Sequence, residues 1–455
     1  MEATHLERIA RWAGGELLAG DPAATTETIC TDSRALRAGD VFLALRGDKF
    51  DGHSFVPEGA RRGGLGAVVE QVPANLPREF AVIRVENTLL ALQEIAANYR
   101  RSLPLQVVCI TGSNGKTSTK DLTASVLSEQ FPVTKTEGNL NNHIGLPLTL
   151  LRARESDEIG VFEIGMNHPG EIAPLARIAA PDVAIVTNIG TAHVEFLGTK
   201  EGIAREKGML VEAVGPSGTV ILNGDDEFSP SIAARTKADA IFCGLDAGDI
   251  FVSELQTTAT GITFRLHGFG RSVEAALPVP GIHMVRNALL AVAAGHVFGL
   301  SLEACAAGLG KVQLTRGRLE QKVVRGIQVI DDSYNANPDS MKAALLTLAQ
   351  MSTNGRRIAV LGHMGELGEE AEHGHRDVGR ATVDLGLDCV ITVGDQAAWI
   401  AEEAWQGGLA KVMKFATSDE AVRALREVAR AGDLVLVKGS RSARMERIIE
   451  GLHRL

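Results

Sequence analysis

The 455-residue sequence predicts an α/β protein whose sheets are mostly parallel and whose chain falls into three blocks, residues 1–103, 104–314 and 315–455. Three observations predict it. The apolar run Val107-Val108-Cys109-Ile110 is followed by Gly112-Ser113-Asn114-Gly115, and Leu122 and Val126 then recur at helical spacing, which reads as buried strand, tight loop and helix. Strand and helix patterns alternate from residue 105, and alternate again after residue 327, as in doubly wound parallel sheets. Pro104 and the polar stretch Thr315-Arg316-Gly317-Arg318 interrupt the pattern and mark the two boundaries.

The bulk numbers agree with such a chain and exclude several classes. A length of 455 residues exceeds one ordinary core, and 45% hydrophobic with 22% charged residues is a globular balance. The formal charge of -10 leaves no footprint for nucleic acid, so an anionic ligand would need local lysines, arginines or Mg2+ to neutralise it. Five cysteines are scattered without paired spacing, and three of them lie in apolar runs, which reads as buried thiols in a reducing compartment. Residues 1–20 carry mixed charge and no long apolar segment, so no signal peptide is expected. No run approaches the roughly eighteen apolar residues of a membrane span. The expectation is a soluble cytoplasmic protein with no membrane or nucleic-acid partner.

In the first block a helix is expected near Leu6 to Ala13, strands near Thr28, Val41 to Leu45, Ala67 to Glu70 and Ala81 to Val85, and a closing helix from Thr88 to Arg101. Thr31-Asp32-Ser33-Arg34 and residues 46–53 are polar, turn-rich loops between those strands.

The central block opens on the glycine loop. Glycines at 112 and 115 let the backbone turn tightly, so that several N–H groups and a helix N-terminus point at one polyphosphate. Lys116 would neutralise the outer phosphates, and Thr117 offers a hydroxyl to Mg2+. Only two residues separate Gly112 from Gly115-Lys116, where the common phosphate loop has four; ATP or GTP is still the expected ligand. Next, Asn139, Asn141, Asn142 and His143 cluster before a helix start at Leu146-Pro147; such side chains hydrogen-bond a sugar or peptide without adding charge.

Val161-Phe162-Glu163-Ile164 is an apolar strand with one glutamate near its carboxyl end, the edge at which open α/β sheets bind ligands. A buried carboxylate is costly without a partner, and a cation would supply one. The strand at Val183 to Val186 delivers Gly190-Thr191-Ala192-His193 to the same edge. On its own residues His193 reads as structural, and Lys207 as a solvated lysine on the next helix. Residues 250–279 alternate as antiparallel strands do, and two helices follow, the first carrying Asn287 in its early turns and the second spanning Leu302 to Leu309.

The last block is expected to hold strands at Gln328 to Asp331, Ile358 to Leu361, Cys389 to Val393, Lys411 to Phe415 and Leu434 to Val437, each followed by an amphipathic helix, in a Rossmann-like open sheet. Its first βα loop, Asp331 to Pro338, is dense in polar side chains. His363, His373 and His375 lie among acids, but their spacing matches no zinc pattern, and acids opening a helix already suit its dipole.

Five stretches together resemble the Mur ligase family of cell-wall biosynthesis over essentially the whole chain: TGSNGKT at 111–117, GNLNNHIGLP at 138–147, DDSYNANPDSM at 331–341, LGHMGELGEEAEHGHRDVG at 361–379 and LVKGSRSARMERI at 436–448. The resemblance implies a UDP-sugar-binding N-terminal domain, a central ATP-binding domain and a Rossmann-like C-terminal ligase domain, working as a monomer on small molecules. It implies an ADP-forming amide ligase that joins D-Ala-D-Ala to UDP-N-acetylmuramoyl-tripeptide in peptidoglycan synthesis.

Site residues follow from the same resemblance. Thr111, Gly112, Ser113, Asn114, Gly115, Lys116 and Thr117 would cradle ATP, with Asn287 at the adenine and Arg318 closing the C-terminal domain. Thr117, Glu163 and His193 would hold Mg2+, and Lys207 matches a lysine carbamylated by CO2 that orients a second Mg2+. Lys116, Glu163, His193 and Lys207 are thus the implied catalytic set. Ser33 and Arg34 lie in the uridine-nucleotide loop, Asn139 and Asn142 on the substrate side, and Asn335 and Asn337 where the dipeptide is expected. His363 stands where many relatives carry a carboxylate, so no metal role falls to it.

Three rivals compete with this reading. Another amide ligase of the superfamily, either the one adding the third peptide residue or a folylpolyglutamate synthase, is opposed by SYNANP at 333–338. A nucleotide-hydrolysing switch or motor would not need blocks on both sides of the ATPase. A silent UDP-sugar-binding regulator would not need Lys116, Glu163, His193 and Lys207 together.

Overall fold

The computed structural model describes residues 1–47, 50–258 and 260–453, so Asp48 and Lys49 of the expected loop at 46–53 lie outside the described residues. The chain forms two compact units, one of Met1–Cys109, Phe131–Met166 and Gly170–Asp182, the other of Ile110–Gln130, Asn167–Pro169 and Val183–Leu455.

The first unit carries a five-stranded sheet in the order Glu16–Ala19, Ala81–Arg84, Gly66–Val69, Val41–Leu43, Ile29–Cys30. Its pairs are parallel except the first, which is antiparallel. Phe42, Val56, Val69, Phe80 and Val82 fill the core on one face. The expected strands are present with ends shifted by a residue or two. The edge strand Glu16–Ala19 is an addition, and its alternating half-exposed side chains explain why so short a segment gave no apolar signal. Asn87 starts the helix Thr88–Ser102 by accepting the Leu90 N–H at 2.9 Å, and the chain leaves helical geometry at Leu103, the residue before Pro104. The same unit contains Val133–Lys135 paired parallel with Ile159–Glu163, so Glu163 is the last residue of its strand.

The second unit has two sheets. In the first, Val183–Val186, Thr219–Asn223 and Asp239–Cys243 run parallel, and Ile250–Thr257, Ile262–Gly268 and Arg271–Leu277 continue it, each of the last three antiparallel to the next as their alternation predicts. Helices Lys116–Leu127 and Ile282–Val297 pack against each other beside it. In the second sheet the order is Glu320–Val324, Ile327–Asp332, Leu434–Lys438, Arg357–Gly362, Cys389–Val393, Val412–Phe415. All neighbours are parallel except the added edge strand Glu320–Val324, a hairpin partner of Ile327–Asp332. Val329, Ile358, Val360, Ile391, Val435 and Val437 form its core. The loops leaving Ile327–Asp332, Leu434–Lys438 and Arg357–Gly362 therefore emerge side by side from one carboxyl edge.

Among the described residues no helix is long and apolar enough to cross a membrane. All five cysteines are free thiols, four of them buried.

Candidate active site

The glycine loop is built as a cradle. Gly115 occupies the N-cap of the helix Lys116–Leu127 with φ 80° and supplies no capping side chain, and the helix N-terminus faces the loop. Only glycine fits there: its φ is left-handed, and a Cβ would stand 2.6 Å from the Asn287 side-chain oxygen. The lysine that follows folds back, its Nζ donating to the Gly112 carbonyl at 2.8 Å.

The loop is fastened by the chain after the strand Val183–Val186. Thr187 Oγ1 donates to the Asn114 carbonyl at 2.5 Å, Asn188 Nδ2 donates to the same oxygen at 3.1 Å, and Asn188 Oδ1 accepts the Asn114 N–H at 3.0 Å. Ser113 Oγ accepts the Gly190 N–H at 2.8 Å. Thr187 and Asn188 were not among the sequence-derived site residues. Their signal is two hydrogen-bonding side chains placed directly behind four buried apolar ones.

Lys207 overturns the reading its immediate neighbours support. It lies on the helix Lys200–Glu212, started by Thr199, and is 1% exposed. Its Nζ donates at 3.0 Å to the Gly112 carbonyl, the acceptor that Lys116 also uses. Burial drives this amine well below the usual lysine range, and the nearby Lys116 charge drives it further. Burial thus favours the uncharged form of this amine beside the glycine loop.

His193 sits beyond the strand Val183–Val186 with φ 64°, in the left-handed region that a residue with a side chain seldom adopts. Its Nδ1 lies 2.7 Å from Glu366 Oε2, at an angle too oblique for a well-formed hydrogen bond. Asn287, 5% exposed, lies against Gly115 and directs its amide toward the Met284 sulfur at 3.8 Å. Arg318 lays its guanidinium over the Tyr334 ring, 4.4 Å from the centroid. Asn337 caps the helix Pro338–Gln350 in a capping box with Ser340, and its Nδ2 donates to Asn114 Oδ1 at 2.7 Å. Asn335 is exposed, its carbonyl accepting from Lys438 Nζ at 3.0 Å, while that lysine also donates to Asp332 Oδ2 at 2.6 Å. The second unit thus gathers the glycine loop, Lys207, His193, Asn287 and Asn337.

Ser33, Arg34, Asn139, Asn142 and Glu163 belong to the first unit. Glu163 is 3% exposed; its Oε1 accepts from Asn141 Nδ2 at 2.8 Å and its N–H donates to Thr136 Oγ1 at 2.9 Å. Asn142 starts the helix Gly145–Leu150, its Oδ1 accepting the Gly145 N–H at 2.8 Å. Asn139 is exposed, and Arg34 forks onto Asp32 at 2.9 and 2.8 Å.

Among the described residues no three His, Cys, Asp or Glu side chains converge into a metal cage. Mg2+ needs no such cage, because it is commonly held by one or two carboxylates, phosphate oxygens and water. The histidines at 363–375 are engaged locally. His375 accepts the Met364 N–H at 3.0 Å while its Nδ1 faces the Ala371 carbonyl at 2.6 Å, and His363 Nε2 lies 2.8 Å from Ser442 Oγ.

A nucleotide loop on a parallel sheet, followed by a Rossmann-like sheet, defines the class: the chain belongs to the Mur ligase family. The Mur ligase middle domain matches residues 110–295, the Mur ligase glutamate ligase domain residues 317–441, and the Mur ligase family catalytic domain residues 25–100. Within the family the chain is 38% identical over 427 residues to the UDP-N-acetylmuramoyl-tripeptide–D-alanyl-D-alanine ligase of Bacillus subtilis, covering 93% of this chain and 92% of that one. It superposes on MurF from Acinetobacter baumannii with a TM-score of 0.92 at 35% identity over 100% of both chains. MurF ligase from Thermotoga maritima in complex with ADP gives a TM-score of 0.85 at 29% identity, over 94% of this chain and 97% of that one.

Proposed function

We propose that this chain is an ATP-dependent, ADP-forming amide ligase that joins D-Ala-D-Ala to UDP-N-acetylmuramoyl-tripeptide, giving the UDP-linked pentapeptide precursor of peptidoglycan. One observation carries the reading: Lys116 and the buried Lys207 converge on the Gly112 carbonyl, in a chain that matches ligases of that name along nearly its whole length. A cradle for polyphosphate with a buried lysine beside it suits phosphoryl transfer to a carboxylate better than simple nucleotide storage.

In the proposed reaction the glycine-loop amides and Lys116 hold the ATP phosphates in line with the terminal carboxylate of the tripeptide. A carboxylate oxygen attacks the γ-phosphorus, ADP leaves, and an acyl phosphate forms. The free amine of D-Ala-D-Ala then attacks the acyl carbon, and the C–O bond breaks with phosphate as leaving group. Bound Mg2+ would supply charge neutralisation on the phosphates. Thr117, Glu163 and His193 are its proposed protein ligands. Lys207 is proposed to be carbamylated, which turns a buried amine into an anion able to orient a second Mg2+.

The remaining assignments belong to the same proposal: Asn287 and Arg318 for the nucleotide, Ser33, Arg34, Asn139 and Asn142 for the UDP-sugar peptide, Asn335 and Asn337 for the dipeptide. Residues 1–103, 104–314 and 315–455 serve as the UDP-sugar, ATP and ligase domains. We further assign the enzyme to the cytoplasm as a monomer. The test is ADP release with Mg2+, omitting the UDP-linked tripeptide and D-Ala-D-Ala in turn. Turnover that needs both, with a pentapeptide product by mass, is expected; turnover indifferent to both would make the protein a plain ATPase.

A further inference from the structure

His193 is aimed by more than its own strand. The segment between Val186 and the short helix Val194–Leu197 has no regular structure, and it ends on a left-handed non-glycine residue. Such a conformation persists where surrounding contacts over-determine it. Those contacts come from a helix start and a loop at the carboxyl edge of the C-terminal sheet. Asp339, the second residue of the helix Pro338–Gln350, accepts the Thr191 N–H at 2.9 Å and the Thr191 hydroxyl at 3.0 Å, both on Oδ2. The helix N-terminus favours the anion there. Gly190 makes the approach possible: a Cβ on it would stand 2.5 Å from that same oxygen. Glu366, itself left-handed with φ 60°, brings Oε2 to 2.7 Å from His193 Nδ1. Asn337 reaches the glycine loop at Asn114 from the same edge.

We infer that Asp339 and Glu366 are positioning residues which fasten the turn Gly190–His193 from the C-terminal sheet. Asp339 fixes the turn through Thr191, and Glu366 sets a carboxylate 2.7 Å from His193 Nδ1. A carboxylate beside an imidazole favours one orientation of the ring by charge and proximity. The C-terminal block is on this account part of the nucleotide site's geometry before any dipeptide arrives, and its kinetic consequences rest on the function proposed above.

The test is a double-mutant cycle of Asp339→Ala and Thr191→Val, with Glu366→Gln and Gly190→Ala alongside. Each single change is expected to lower kcat about tenfold or more while KM for the UDP-linked tripeptide stays within about twofold, the range typical of a misplaced catalytic group. In the Asp339→Ala background, Thr191→Val should add less than about twofold. Effects that multiply would overturn the inference, because a contribution confined to the helix Pro338–Gln350 is independent of Thr191. Gly190→Ala leaves that helix intact and decides the case if Asp339→Ala does not fold. A second readout needs no turnover: amide exchange of residues 188–197 with ADP, with and without Mg2+. Protection in the wild type that falls at least about fivefold in the variants supports the inference, and unchanged protection refutes it. If the wild type makes no pentapeptide, the function fails and the exchange result still judges the positioning.

Discussion

Lys207 and Lys116 point their side-chain nitrogens at one carbonyl oxygen, and burial drives Lys207 well below the usual lysine range. Lys207→Ala is therefore expected to keep the fold by circular dichroism and lose activity by about 100-fold or more, the scale for removing a preorganised electrostatic group. Lys207→Arg should be equally inactive, since a guanidinium stays charged. Wild-type turnover in either variant would remove Lys207 from the mechanism. His283 gives a pH prediction. Burial pushes its imidazole down to about 4, with Asp332 opposing and Lys438 and Arg286 assisting the shift. The unfolded chain takes up this proton near pH 6.5, before the folded one does, so the stabilisation is complete above about 6.5 and is lost as pH falls toward 4. Urea midpoints at pH 7.5 and 4.5 should show the wild type losing about 2 to 3 kcal/mol more than His283→Gln. Parallel losses would contradict this. At this scale the sequence was only partly legible. Lys116 and Thr117 announce themselves by local spacing, whereas Lys207, Asp339 and Glu366 owe their proposed roles to partners between 95 and 173 residues away. A lone Arg-Glu-Lys-Gly carries no trace of that burial.

The helix Lys116–Leu127 joins the glycine loop to the start of the C-terminal block. Asp121, 2% exposed, accepts both the N–H and the hydroxyl of Thr315 at 2.8 Å, and it lies 3.3 Å from the buried Lys120. Asp121→Ala would strip a buried acceptor from Thr315 and an anion from Lys120, so a loss of about 2 to 3 kcal/mol in urea unfolding is expected, against about 1 kcal/mol for Thr315→Val. Equal small losses would mean that water replaces the carboxylate. Asn337→Ala removes a capping box and should cost about 1 kcal/mol, with an added activity loss through Asn114 that Ser340→Ala does not share. Most elements were readable because their periods are strong: buried parallel strands appear as continuous apolar runs and the 250–277 strands as alternation. The edge strands Glu16–Ala19 and Glu320–Val324 were not, since half-exposed short strands look like loops. Between Lys207 and Ile250 the sequence reading names no strand, yet Thr219–Asn223 and Asp239–Cys243 extend the sheet. The first is an apolar run of the kind recognised elsewhere. The second is largely exposed and is held as a strand by its neighbours.

For the whole molecule, the proposed chemistry asks for three ligands and an intermediate that water destroys, and three stretches of the chain match Mur ligase family domains. Two interruptions of the pattern, Pro104 and residues 315–318, are what led the sequence to be divided into three blocks. The substrates came from longer motifs, because a phosphate loop alone fits many reactions. The central claim is that the tripeptide carboxylate is activated as an acyl phosphate, and atom balance makes it measurable. When the dipeptide amine expels phosphate, the bridging oxygen leaves with it. The decisive measurement is turnover of UDP-linked tripeptide labelled with 18O in its terminal carboxylate, followed by mass analysis of the released phosphate. One labelled oxygen in the phosphate for each pentapeptide formed is the predicted result. Unlabelled phosphate accompanying pentapeptide would contradict the acyl-phosphate route.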